Sequence, residues 1–262
     1  MKPLLEVENI SYRYSAQKEA KDILNKISFS VLPGEFVSLV GPSGAGKTTL
    51  FNLLAGLLPL QDGSISLEGE PLSKQRKRIG YMLQKDLLFP WRTILENTLI
   101  GVEIHKTNRK SAIHQAIEYL QRYGLADYAN AYPNQLSGGM RQRVALIRTL
   151  MVQPHIILLD EPFSAVDYQT RLLLEKELLD ICANEHRTMM LITHDIGEAI
   201  SLGDSVIVLG KSPATVKAKH RIELSFEGSK TPWGARKAPE YQKYFDQIWD
   251  ELEISTTGMV SA

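Results

Sequence analysis

The stretch "GPSGAGKT", Gly41 to Thr48, fits the pattern G-x-x-x-x-G-K-[ST] at every position. Its flanks supply the context that the pattern needs. "EFVSLV" (Glu35 to Val40) is an apolar run with strand character and leads directly into the glycines. After it, Leu50, Leu53, Leu54 and Leu57 fall at i, i+3, i+4 and i+7, one face of a helix. Strand, glycine-rich loop and helix together form a phosphate-binding loop. Gly41, Pro42, Ser43, Gly44, Ala45 and Gly46 form the turn whose backbone N–H groups point inward at an anion. Lys47 reaches the β- and γ-phosphates of a nucleotide, and Thr48 offers its hydroxyl to Mg²⁺. The helix adds its positive N-terminal end.

Working outward, short strands alternate with helical segments. "KISFSVL" sets Ile27, Phe29 and Val31 on one face, and "DGSISLEGE" and "RIGYMLQ" have strand character. "HIILLD", "TMMLIT" and "SVIVLG" are short, apolar on both faces and separated by helical runs. That predicts an α/β fold with a parallel sheet covered on both sides. Strand ends carry the remaining chemistry, because ligands of open α/β sheets bind there. "IILLDEP" delivers Asp160, placed to hold Mg²⁺, and then Glu161, a carboxylate able to align and deprotonate a water that attacks the γ-phosphate. "LITHD" delivers His194, whose ring could contact the γ-phosphate or hold Glu161 and the water; a purely structural histidine is the alternative. Gln84, closing "YMLQ", can give an oxygen to Mg²⁺ or bind the attacking water.

From Pro90 to about Thr149 the pattern is mostly helical. Thr93 and Glu96 have the spacing of a capping box, and "KSAIHQAIEYLQRYG" places Ile113, Ile117 and Leu120 on a stripe ending at Gly124. Near the end of this insert stands "LSGGMRQR", Leu136 to Arg143, which looks like half of a phosphate loop: Ser137, Gly138 and Gly139 before a helix, with no Gly-Lys-Thr. After Gly210 the signal weakens. "KTPWGARKAPE" has the composition of a linker, and Tyr241, Phe245, Ile248, Trp249 and Leu252 share a helical face that packs on the core or meets a partner. The last ten residues are expected to fray.

Composition bounds the rest. The chain has 262 residues, 44% of them apolar, values of an ordinary globular protein with a sizeable core. Thirty Lys+Arg balance thirty Asp+Glu, which argues against a bulk nucleic-acid binder. The single cysteine, Cys182, lies in an apolar helical run, so no internal disulfide forms, a reducing compartment is expected, and burial rather than reactivity is the reading. Glu6 and Glu8 stand where a signal peptide would be apolar, and no run of about 18 apolar residues exists to span a membrane.

Taken together, "GPSGAGKT", "YMLQ", "LSGGMRQR", "IILLDEP", "SAVD" and "ITHD", in that order, resemble the nucleotide-binding subunit of an ATP-binding cassette (ABC) transporter, over nearly everything from Leu4 to Gly210. The resemblance implies a P-loop NTPase (RecA-like) core with a small antiparallel β part and an α-helical subdomain. It divides the chain into an ATPase domain, 1–210, with helices at about 90–149, and a C-terminal extension, 211–262. It implies ATP and Mg²⁺ as ligands. Thr49 joins the loop residues at the phosphates, and Tyr14 in "ISYRY" stacks on adenine, with Tyr12 the competing candidate. Ser137, Gly138, Gly139 and Gln142, with Asp167 of "SAVD", serve an ATP shared across a homodimer or a pair of ATPase subunits. Val166 departs from the commoner leucine of that motif. Partners would be transmembrane permease subunits and, indirectly, an extracytoplasmic solute-binding protein, at the cytoplasmic face of a bacterial membrane and without nucleic acid.

"MLQKDLLFPWRTILENT", "LLDEPFSAVDYQTR" and the tail "KAPEYQKYFDQIWDEL" are similar to the importer ATPases for nitrate, sulfonate and taurine. Phe89, Pro90 and Trp91 would receive a permease helix; packing between subdomains is the equal alternative for Trp91. By this resemblance the cargo would not touch this subunit. Competing classes fit less well. ABC-type DNA-repair ATPases interrupt the core with long coiled coils, whereas Gln84 to Ser137 spans only about fifty residues without heptads. ABC translation factors carry two cassettes, and a P-loop metabolite kinase has no need of "LSGGMRQR".

Overall fold

The computed structural model describes residues 2–15, 20–105, 108–164, 166–225 and 228–252. The fraying expected of the last ten residues, and Ala165 of "SAVD", lie outside the described residues. Two sheets enclose one helix. The first is antiparallel, ordered β2-β1-β4-β5, from β1 (Leu5–Ser15), β2 (Ala20–Val31), β4 (Asp62–Leu67) and β5 (Glu70–Pro71). The second is ordered β10-β9-β3-β8-β7-β6, from β3 (Phe36–Val40), β6 (Ile79–Met82), β7 (Ile156–Asp160), β8 (Thr188–Ile192), β9 (Ser205–Leu209) and β10 (Val216–Arg221). Its strands run parallel except β10, which pairs antiparallel to β9. Strands β3, β7, β8 and β9 are buried at all five positions, which is why they carry apolar side chains on both faces.

Helix α1 (Lys47–Leu54) lies between the sheets, its Leu50, Phe51, Leu53 and Leu54 sharing a core with Val7, Ile27 and Leu67 of one sheet and Leu39, Leu158 and Ile192 of the other. The short α2 (Leu72–Gln75) follows β5. Among the described residues the next stretch holds the α-helices α3 (Ile94–Thr98), α4 (Ile100–His105), α5 (Arg109–Arg122) and α6 (Gly138–Leu150). Together with α7 (Tyr168–Glu185) they cover the opposite face of the parallel sheet. Thr93 and Glu96 form the expected capping box at α3, and Gly124 closes α5 in the left-handed conformation. The buried stripe of α5 differs from the one expected. Leu120 is buried and Ile113 packs on the core as expected, but Ala112, Ala116 and Tyr119 complete the inward face while Ile117 is exposed.

The C-terminal region also departs from the sequence reading. β10 extends the core sheet beyond 210, and the stretch expected as a linker contains α9 (Pro232–Lys237), capped by Thr231. α10 (Tyr241–Glu251) packs Tyr241, Tyr244, Phe245, Ile248 and Leu252 against α8 (Ile196–Leu202) and its neighbours; Trp249 instead stands at the surface, stacked on Phe245. No helix among the described residues is long and apolar enough to cross a membrane. Cys182 is buried, as expected, and burial pushes its thiol up to about 12.

Asn97 holds the loop before α3. It is fully buried; its Oδ1 accepts from Phe89 N at 2.7 Å, and its Nδ2 donates to the carbonyls of Phe89, Arg92 and Thr93 at 3.1, 3.1 and 2.9 Å. The loop thereby presents Phe89 and Trp91 as a stacked, exposed pair with ring centroids 5.1 Å apart, so packing between subdomains is not the role of Trp91. Asn97→Ala would strand these backbone groups and is predicted to cost about 3 kcal/mol. A thermal midpoint lower by roughly 5–10 °C in calorimetry is the check.

Candidate functional site

Three adjacent parallel strands end side by side. Leu39 of β3 and Asp160 of β7 both pair in register with Ile192 of β8. The loops leaving those strands are Gly41–Gly46, the Glu161 turn and Thr193–Asp195, so the phosphate loop, the carboxylate pair and His194 come to one edge.

In the loop, Gly46 caps α1 at φ 85°, and a Cβ there would stand 2.6 Å from Ile23 Cγ2, so only glycine fits. Lys47 folds back over the loop, its Nζ donating to Gly41 O at 2.8 Å and Pro42 O at 3.1 Å. Burial lowers the Lys47 ammonium, while Glu161 and Asp160 act to raise it. Ala45 is buried and bonds back to Pro42 O; Ser43, Gly44 and Thr48 are exposed.

Asp160 is buried and accepts from Tyr81 Oη at 3.2 Å. Burial raises its carboxyl, with Tyr81, Thr48 and Lys47 opposing and Glu161 adding. Burial beside Asp160 likewise pushes the Tyr81 phenol well above its usual range, keeping it a donor. Thr48, Asp160 and Gln84 each carry a side-chain oxygen of the kind a hard divalent cation takes as ligand. Glu161 sits at φ 46°, a left-handed conformation that costs about 1–3 kcal/mol outside glycine. Its N–H donates to Ile192 O at 3.0 Å, which fixes the turn and aims the carboxylate. Gln84 Nε2 donates to Glu161 Oε2 at 3.1 Å, and His194 Nδ1 lies 3.6 Å from the same oxygen. A carboxylate held between an amide and an imidazole at the edge of a phosphate loop can orient and deprotonate water.

Tyr14 and Tyr12 are separated by burial. Tyr12 is 7% exposed and belongs to the core, whereas Tyr14 is 42% exposed with Oη 3.4 Å from Thr49 Oγ1, beside the start of α1. Tyr14 is the ring available to a ligand at the loop.

Ser137 caps α6, accepting from Met140 N, and remains exposed. Asp167 caps α7, accepting from Thr170 Oγ1 at 2.7 Å and from Thr170 N at 3.0 Å, and that bonding holds its carboxyl below the usual range. The two caps are packed together: a Cβ on Gly139 would stand 2.4 Å from Thr170 Cγ2. Among the described residues no hydrogen bond or ion pair joins 137–139 to 41–49.

Gln142, expected beside a nucleotide, faces inward instead. It is 4% exposed and its Nε2 donates to Gln84 O at 3.4 Å, one helical turn beyond the capped end that Ser137 presents. Two arginines that sequence reasoning passed over make the same connection. Arg141 bonds Asp86 at 3.0 Å, and Arg148 donates to the carbonyls of Asp86 and Leu87 at 2.7 and 2.9 Å. The i, i+1, i+7 spacing of Arg141, Gln142 and Arg148 was the available signal. Tyr81 was passed over too, since only strand register brings it to Asp160.

Comparison with known proteins gives a consistent picture. The family model described as ABC transporter matches residues 24–164. The ABC transporter ATP-binding protein YtlC of Bacillus subtilis, itself uncharacterized, is 41% identical over 95% of both chains. The nitrate import ATP-binding protein NrtD of Synechocystis is 35% identical over 93% of both, and the taurine import ATP-binding protein TauB of Rhizobium johnstonii is 35% identical over 99% of this chain and 100% of its own. Among solved structures, the dimeric post-hydrolysis state of the ATP-binding cassette MJ0796 with ADP and Pi superposes with a TM-score of 0.75 at 31% identity, covering 84% of this chain and 99% of that one.

The Tyr81 contact makes a prediction of its own. Tyr81→Phe removes a donor from a buried carboxylate, so Asp160 should titrate higher than in the parent. A carboxyl-labelled aspartate NMR titration reads the change, and an unmoved Asp160 would show that Tyr81 is not its partner.

Proposed function

The chain belongs to the ABC transporter family, and from that premise we propose that it is the ATP-hydrolysing subunit of an importer for a small solute of the nitrate, sulfonate and taurine kind. The observation that carries the hydrolytic part is the Glu161 carboxylate, set between Gln84 and His194 at the end of β7. ATP is the substrate. Lys47, the loop N–H groups and the N-terminus of α1 bind its β- and γ-phosphates, Thr49 closes the loop, and the Tyr14 ring stacks on adenine. Thr48, Asp160 and Gln84 would hold Mg²⁺, which when bound neutralises charge on the β- and γ-phosphates. Glu161 takes the proton of the attacking water; Gln84 and His194 keep that carboxylate and the water aligned.

Ser137, Gly138 and Gly139 present a capped helix end with no lysine, apart from this chain's own phosphate loop. In a two-fold dimer that end meets the γ-phosphate held by the partner subunit's loop, with Asp167 beside it. The dimer works beneath a permease at the cytoplasmic face of a bacterial membrane, supplied by an extracytoplasmic solute-binding protein. The exposed Phe89–Trp91 pair, joined to Gln84 through residues 85–88, is the surface offered to the permease.

Two variants test this reading. Glu161→Gln should retain ATP binding, lose turnover by about 10²–10³-fold or more, and accumulate an ATP-bound dimer in size-exclusion chromatography; turnover at the parent rate would remove Glu161 from the role. Ser137→Arg should abolish cooperative hydrolysis while monomer ATP affinity stays within about twofold. Loss of monomer binding would mean that Ser137 serves its own nucleotide.

A further inference from the structure

The segment after β10 does more than cover apolar surface. Lys230, largely buried, donates to Leu202 O at 2.9 Å and Gly203 O at 2.7 Å, the last carbonyls of α8, and reaches Asp204 at 3.4 Å. At the other end of α8, the Tyr241 hydroxyl fills the space beside Gly197, 2.8 Å from where a Cβ would stand. Between these contacts Arg236 of α9 forks onto Glu175 of α7 at 2.9 and 3.1 Å; Glu175 is 0% exposed. Apolar cover alone has no need of buried charge, whereas a bidentate pair fixes direction as well as distance.

Both gripped helices begin at the candidate site. α7 starts at its cap, Asp167, and α8 starts at its cap, Asp195, the residue after His194. They are also tied to each other. Arg171 of α7 pairs with Glu198 and Asp195 at 3.1 and 3.5 Å, and Glu198 accepts from Thr193 Oγ1 at 2.5 Å, next to His194. A shift of α8 against α7 therefore moves His194, which precedes α8, relative to Asp167, the cap of α7.

We propose that residues 230–241 form a strap that positions the hydrolytic site, with Arg236 and Lys230 holding α7 and α8, and through them Asp167 and His194, in the relation that turnover requires. Arg236 is a positioning residue, acting through Glu175 rather than on substrate. The proposal rests on the hydrolytic reading of His194 given above.

The full-length double variant Arg236→Leu/Glu175→Leu replaces the pair by apolar side chains and leaves no buried charge unpaired. Arg236→Lys alone keeps the charge but loses the fork. In the double variant kcat for ATP should fall about tenfold with KM within about twofold, and Arg236→Lys should lie between it and the parent. The His194 ring resonance, assigned by its loss in His194→Gln, should move in both variants. A His194 resonance unmoved in Arg236→Lys, or a parent-like kcat in that variant or in a folded double variant, overturns the strap. If the parent itself does not hydrolyse ATP, the functional reading fails, and the resonance alone decides the strap.

Discussion

The register of β3, β8 and β7 is the constraint on which the site depends. Ile192 lies between Leu39 and Asp160, and main-chain bonds carry that alignment past the strand ends, from Thr193 N to Leu39 O and from Glu161 N to Ile192 O. Side chains alternate along a strand, so a slip of one residue in β7 would turn Asp160 to the other face of the sheet. Such a slip would take the buried Asp160 carboxylate away from Tyr81 and leave it without that partner, at a cost that protects the register.

That register concentrates opposed charges in a space that suits neither. Burial lowers Lys47 and raises Asp160, and each moderates the other. Tyr81 and the loop carbonyls occupy the donors and acceptors that phosphate oxygens and a divalent cation would use in the proposed reaction. The left-handed Glu161 is a further cost of the arrangement, met by the two bonds that its N–H and its side chain make to neighbouring segments. Around this centre α6 ties Gln84 and the residues after it to the helix end at Ser137, so the two parts of the proposed shared site are mechanically joined within one chain.

Where chemistry and local pattern coincide, the sequence was legible. The phosphate loop, the carboxylate pair, Gln84 and His194 were all named from strand ends, and the structure brings them together. Long-range packing was not legible. The stripe of α5 was placed on Ile113, Ile117 and Leu120; Leu120 is buried and Ile113 packs on the core, but Ile117 faces solvent and Ala112, Ala116 and Tyr119 complete the buried face. The segment 230–240 looked like a linker because it is polar and contains prolines; the partners of its Lys230 and Arg236, the end of α8 and Glu175, lie 26 to 61 residues away. Gln142 was assigned to a nucleotide along with its neighbours in "LSGGMRQR", although successive helical residues point in different directions.

By itself the sequence determined the residue types at the ends of the strands, and with them the family, the α/β fold and the class of chemistry, since glycine, lysine, aspartate and glutamate at those spacings admit few other uses. Only the tertiary structure decided which of those groups touch. The contacts between Tyr81 and Asp160, Gln142 and Gln84, and Arg236 and Glu175 depend on strand register and helix rotation, and both are set by packing across the whole core rather than by any local run of residues.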